Sequence, residues 1–340
     1  MTKKVEKDGV LRYGGWSALG QSLDLATEAH ALLRGAANRE VPGVREEVDL
    51  VEIEGGQPAK IHTITILNAE GEKQMGKPMG HYINIEIPEL IHNKDVLRPA
   101  SRIVAERLQE LIPDQNPKPS FLLIGLGNNQ ATPDSLGPRV VEQTMATRHL
   151  LRLAPDEMPP GMASVCAIAP GVLGITGIET AEIIKGITDH IQPNCIIAVD
   201  ALAAGNISRV GNTIQISDTG INPGAGIGNR RTPINAQTMG RPVIAIGIPT
   251  VVDTNIIIYE SLLSLLDIWH EQGKQNVPPI EEGVLDAVRK RLLAAFDGSL
   301  IVTPREIDDI ISAVADLIAA AFIQAVHPCA DESNYYLYLR

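Results

Sequence analysis

Three runs of the chain, LLIGLG (122–127), NCIIAVDAL (194–202) and VIAIGI (243–248), stay apolar over successive positions without alternating. A strand with one wet face alternates apolar and polar side chains, so unbroken runs fit strands covered on both faces, as in a parallel sheet between two helical layers. Stretches with a helical period separate them. TAEIIKGITDHI (180–191) puts Ile183, Ile184, Ile187 and Ile191 on one face, with Thr176 and Glu179 expected to form a capping box. Asp253 is placed to cap NIIIYESLLSLLDIWHEQG (255–273), and Thr303, Pro304 and Glu306 to open a last helix through residue 326. With aromatic residues at 3%, the core has to be aliphatic. The order strand, helix, strand over 121–326 predicts an α/β fold: a doubly wound, mostly parallel sheet with helices on both faces.

The first third has a different texture. KIHTITI (60–66) and HYINIEI (81–87) alternate as half-buried strands of an antiparallel pair do, and are expected to form a small added sheet at about 45–90, on the edge of the main domain. Composition narrows the function. A net charge of −12, from 41 acidic and 29 basic residues, leaves no basic surface for phosphate neutralisation, so no direct nucleic-acid partner is expected. Cys166, Cys195 and Cys329 are odd in number and far apart, which suggests neither a disulfide framework nor a zinc motif and fits a reducing cytoplasm. The N-terminus has no apolar h-region, and no run reaches the ~18 uncharged apolar residues of a membrane span, so no membrane partner is expected.

GLGNNQATPDSLGP (125–138) follows a strand and leads into a helical pattern, as a phosphate-binding turn does. Gly125 and Gly127 fit the dinucleotide fingerprint, but position 130 is Gln, and no G-K-[ST] follows to make a Walker loop. The stretch offers instead Thr132 as an N-cap, Pro133 at the first helical position and Asp134 just inside the helix. Taken alone, Asp134 reads as a first-turn acid favoured by the helix dipole by ~0.3–1 kcal/mol. Asp200, at the end of IIAVD, reads alone as a strand-end residue bonded to a loop. If the two strands are neighbours, both carboxylates face one crevice, their pKa values move apart, and one acts as acid while the other acts as base on a water. No cofactor and no metal is required by that chemistry.

Two loops crowd the same edge, IAPGVLGITGIET (168–180) and SDTGINPGAGIGNRR (217–231). In the second, Gly224, Gly226 and Gly228 permit close backbone approach and Arg230, beside Arg231, suits an anion or an acidic peptide side chain; an ordinary connection would look the same. No G-x-S-x-G elbow and no H-E-x-x-H helix is present, and His149 and His190 read as surface or core residues.

GLGNNQATPDSLGPRVVEQTMATRHL, SVCAIAPGVLGITGIETAEIIKGI, IIAVDALAA, TIQISDTGINPGAGIGNRR and PVIAIGIPTVVD resemble, in order, successive blocks of the germination protease family of spore-forming bacteria. The resemblance runs from DLATEA to the helix at 304–326. It implies an endopeptidase that starts the degradation of small acid-soluble spore proteins, is located in the spore core, assembles as a homotetramer and depends on two aspartates, which match Asp134 and Asp200. It also implies a zymogen that removes its own propeptide. SLDLATEA (22–29) looks like a copy of the family's substrate sites, with cleavage between Asp24 and Leu25, giving a propeptide of 1–24 and one peptidase domain of 25–340. Read without the family, the same stretch is a helix start capped by Asp24. G-x-G-N followed by D-x-x-G also resembles the hydrogenase maturation endopeptidases, which implies a related fold and a metal-recognising alternative. Val251, Val252 and Asp253 stand where the histidine of that family is expected. A non-catalytic module holding an anion in its glycine-rich loops is a further alternative.

Overall fold

The computed structural model describes residues 23–37, 40–113, 119–224, 231–273, 282–296, 300–331 and 333–339. Nine strands among them form one mixed sheet: β1 (Val44–Val51), β2 (Ala59–Ile66), β3 (Gly80–Glu86), β4 (Ser120–Gly125), β5 (Ser164–Ile168), β6 (Cys195–Ala204), β7 (Thr213–Ser217), β8 (Val243–Asp253) and β9 (Ile301–Val302). Their order is β1-β2-β3-β7-β8-β6-β4-β5, with β9 alongside β8. The run β8-β6-β4-β5 is parallel, while β1, β2, β3, β7 and β8 pair antiparallel in succession. The strands at 60–66 and 81–87 pair antiparallel as their alternation predicts, but they are not an added sheet. β3 pairs with β7 and so continues the central sheet, because Ile61, Ile83 and Ile85 extend the apolar face that β7 and β8 begin.

Residue parity assigns the two faces. Phe121 and Leu123, Ile197 and Val199, Ile214 and Ile216, and Ile244 and Ile246 point to one face, where they pack against α3 (Leu97–Leu111), α4 (Leu136–Gln143) and α7 (Ile307–Val326). Their even-numbered neighbours Leu122, Ile124, Ile196 and Ala198, with Val243, point to the other, against Ala181 and Ile184 of α5 (Thr180–Ile191) and Met239. Each such valine, leucine, isoleucine, methionine or phenylalanine, fully buried, contributes ~1.5–3 kcal/mol. On the second face the antiparallel half is covered differently. Ala26 and Ala29 of α1 (Ala26–Ala37) and Met75 of α2 (Ala69–Met75) pack on Ile64, Ile66 and Tyr82.

Helix starts depart from expectation in two places. Thr176 is the last residue of a short turn at Leu173–Thr176, and its hydroxyl bonds Val172 and Ile178 rather than the start of α5, whose N-cap Glu179 has no side-chain capping bond. Asp253 does cap α6 (Thr254–Glu271): its Oδ1 accepts from Asn255 N–H at 2.7 Å. α7 opens after Glu306, and its length and composition alone would let it cross a membrane, but most of it is spent in the core, with Ile318, Phe322 and Ile323 wholly buried.

Candidate active site

The same parity that sends Ile214, Ile216, Ile244 and Ile246 to the first face sends Gln215 and Ser217 of β7 and Ala245 and Gly247 of β8 to the second. Asp200 of β6 lies beside Gly247 in register, and Gln215 lies on Gly247's other side. These residues floor a cavity of about 350 Å³. One wall is Lys77 and Pro78, from the loop after α2, with Tyr82 of β3; the other is Pro133, Asp134, Gly220, Gly224 and Asn235.

Asp134 arrives through the glycine-rich stretch. Beyond β4 the chain turns at Gly127, whose φ is +114 and whose added Cβ would stand 2.0 Å from the Asp134 carbonyl oxygen. This close approach lets Asn128 N–H donate both to that oxygen, at 3.0 Å, and to Asp134 Oδ2, at 2.9 Å. Gly137 answers a second need, since a Cβ there would lie 2.3 Å from Leu126 O and 2.6 Å from Val199 O. Gly137, with Gly125 whose added Cβ would stand 2.1 Å from Gly137 O, lets α4 press on the β4–β6 backbone. Thr132 is not the cap of α4: Thr132–Asp134 is a separate 3-10 turn after Ala131, and α4 begins at Leu136. Because Asp134 bonds the loop N–H of Asn128, its carboxylate does not serve the helix end.

Asp200 does not end its strand. β6 continues to Ala204, with a register shift between Leu202 and Ala203. The parallel pairing of β4 with β6 makes the two strands neighbours and brings Asp134 and Asp200 to one cavity. Burial, with the Asp134 charge next and Asp24 adding, pushes the Asp200 carboxyl well above the usual carboxylate range. Burial also raises Asp134, against the pull of the Asn128 N–H and the Arg231 charge.

Asp24 lines the same cavity, so the residue preceding the expected cleavage position is held at the crevice. The Asp24 carboxylate accepts from Ala203 N–H at 2.9 Å, and its carbonyl oxygen accepts from Lys77 Nζ at 2.8 Å and from Gln215 Nε2 at 3.2 Å. Leu25 is fully buried, and Ala26 N–H donates to Gln215 Oε1 at 2.7 Å. Farther on, Glu28 accepts from Gly205 N–H at 3.0 Å, and Arg209 donates to Thr27 Oγ1 at 2.6 Å and pairs with Glu86 at 2.9 Å. Of the glycine-rich loop, Gly224 reaches the cavity, while Gly226, Gly228 and Arg230 lie outside the described residues. Sequence reasoning missed Lys77, Gln215 and Arg209. The one signal was Gln215 itself, a polar residue between two isoleucines at the centre of β7.

Burial pushes the Glu28 carboxyl from its ordinary 4.5 up to about 7, against the pull of Arg209 and the Gly205 N–H. A raised carboxyl binds its proton more tightly when docked. The docking it supports is therefore complete below about pH 4.5 and is lost as pH rises through about 7. Amides 26–29, corrected for intrinsic exchange, are expected to be better protected at about pH 5 than at about pH 8, and Glu28→Gln to reduce the difference, with Asp24, also raised by burial, left to contribute in the same sense. Equal protection in the parent chain would contradict this.

Two carboxyls raised by burial in one cleft, beside a held stretch of backbone, could serve as acid and base on a peptide. Residues 26–282 match the family model described as germination protease. A germination protease of Clostridium perfringens (strain ATCC 13124) is 44% identical over 317 residues, covering 90% of this chain and 94% of that protein. Those of Clostridium tetani (38% over 323 residues; 93% of this chain, 98% of that one) and Bacillus cereus (35% over 351; 92% and 95%) are similar throughout as well. The chain belongs to the germination protease family and is an endopeptidase of spore germination.

Proposed function

We propose that this peptidase cleaves small acid-soluble spore proteins in the spore core, as a homotetramer made from a self-processing zymogen, with Asp134 and Asp200 activating the water. The observation that carries the reading is the meeting of Asp134, Asp200 and Asp24 in one crevice. Asp200, the more strongly raised, supplies the acid, and Asp134 the base. The two titrate as a coupled unit. Asp134 takes a proton from water, the hydroxide oxygen attacks the peptide carbonyl carbon, and Asp200 protonates the departing nitrogen. Residues 1–24 form the propeptide, and 25–340 the peptidase domain with Gly224, Gly226, Gly228 and Arg230 along the substrate. The negative net charge suits a peptidase that does not itself bind DNA, the polyanion its substrate coats.

The test is incubation of the purified chain alone and with a small acid-soluble spore protein. Substrate fragments and a new terminus reading Leu-Ala-Thr-Glu, from Leu25, are expected; neither forms if the chain is an anion-binding module. The hydrogenase-maturation reading predicts metal dependence. Among the described residues no three His, Cys, Asp or Glu side chains group closely enough to hold an ion. EDTA is accordingly expected to leave the rate unchanged, and loss of activity restored by zinc or nickel would favour that alternative.

A further inference from the structure

The carbonyl oxygen that accepts from Lys77 and Gln215 belongs to the peptide bond joining Asp24 to Leu25. The two donors come from separate elements, the loop after α2 and the centre of β7, and converge on that single atom. Gln215 also fixes its own orientation. Its Oε1 accepts from Ala26 N–H at 2.7 Å, so its Nε2 is turned to the carbonyl and the side chain grips the backbone on both sides of the bond. The neighbouring grips, Ala203 N–H on the Asp24 carboxylate and Arg209 on Thr27, hold the segment in place without using the Leu25 side chain. Gln215 and Asp200 lie in one lateral row of the sheet, one on each side of Gly247. At ~4.8 Å between strands they stand roughly 10 Å apart across the cavity floor, room for a peptide group between acid and donor.

We infer that Lys77 and Gln215 are catalytic residues of this peptidase, the pair that stabilises the oxyanion on the carbonyl of the acidic residue preceding the cut. The inference rests on the reading of Asp24-Leu25 as the self-cleaved bond. When water adds to the carbonyl carbon, the C=O π pair moves onto the oxygen, where the Lys77 ammonium and the Gln215 N–H already point. When the pair returns, the C–N bond breaks and its electrons take the proton from Asp200. Donors set in advance on the atom that gains charge act in the transition state more than in binding.

The test separates kcat from KM for cleavage of a small acid-soluble spore protein by the full chain, with thermal melting as a check of folding. Lys77→Met is expected to lower kcat about 10²–10³-fold with KM within a few-fold, and Lys77→Arg, which keeps a charged donor, to recover part of it. Gln215→Glu keeps the acceptor for Ala26 N–H but loses the donor, and is expected to fall comparably; it carries the test if Lys77→Met fails to fold. An unchanged kcat, or a change in KM alone, overturns the assignment, and inactivity of Asp134→Asn in the same assay then shows that the dyad stands without it. Full activity in either Asp134→Asn or Asp200→Asn would bring down the underlying reading and this inference with it.

Discussion

Asp134→Asn and Asp200→Asn are each expected to lower kcat by about 10²–10⁴-fold, the range that a positioned acid or base contributes. Asparagine keeps the shape of either side chain and removes the ionisable carboxyl group. Asn128 N–H can still donate to an oxygen at position 134, and Ala201 N–H to one at position 200, so the fold has no reason to change. Since the pair acts as a unit, the double variant should be no worse than the poorer single one. Stability supplies an independent sign. A carboxyl raised by burial contributes stability below its unfolded pKa and loses it as pH rises through the folded value; Asp200 is raised well above the range of a free aspartate. Asp200→Asn should therefore melt at least as high as the parent chain near neutral pH and lose less stability toward alkaline pH. Kinetics with the spore protein and melting curves across pH decide both points. Full activity in either single variant would remove the dyad.

Asp134 and Asp200 were legible in the sequence because each stands at a short distance from an apolar run, and unbroken runs identify central strands. That they meet depends on β4 lying beside β6, which the residues state only conditionally. Lys77, Gln215 and Arg209 were not legible for the same reason magnified. Lys77 is brought to residue 24 by the docking of α1 and α2 on the sheet, and Gln215 by the antiparallel junction of β3 with β7, contacts between segments far apart in the chain. The extent of the sheet was misjudged where alternation misleads. KIHTITI looks half-buried, yet Ile61 faces one helical layer while Ile64 and Ile66 face the other, so β2 is an interior strand covered on both sides. The cap at Thr132 failed because Thr132–Asp134 closes into a 3-10 turn of its own, with Asp134 N–H on Ala131 O and Ser135 N–H on Thr132 O. Local chemistry announced a turn; tertiary contact chose its form.

Gly137→Ala is expected to be among the most damaging single-methyl changes in the chain. The added carbon would stand 2.3 Å from Leu126 O, 2.5 Å from Leu126 N and 2.6 Å from Val199 O, and all three atoms are backbone. No rotamer change relieves such a contact. Leu126 N–H is also engaged, donating to Val199 O at 2.8 Å, so yielding on the sheet side would break the join between the end of β4 and β6. The helix has to move instead. Overpacking of this kind costs about 1–3 kcal/mol and more where the neighbours are rigid. α4 follows Asp134 by two residues, so its displacement carries the Asp134 turn away from Asp200. A drop in melting temperature and a loss of kcat are therefore expected together, without a matching rise in KM. Gly174→Ala is the control: nothing lies within 4 Å of its added carbon, in a short helical turn, so it should be neutral or stabilising by about 0.4–1 kcal/mol. A Gly137→Ala protein that melts and cleaves like the parent would show that α4 does not hold Asp134 in place, and would return the glycines of GLGNNQATPDSLGP to the question of what else they bind.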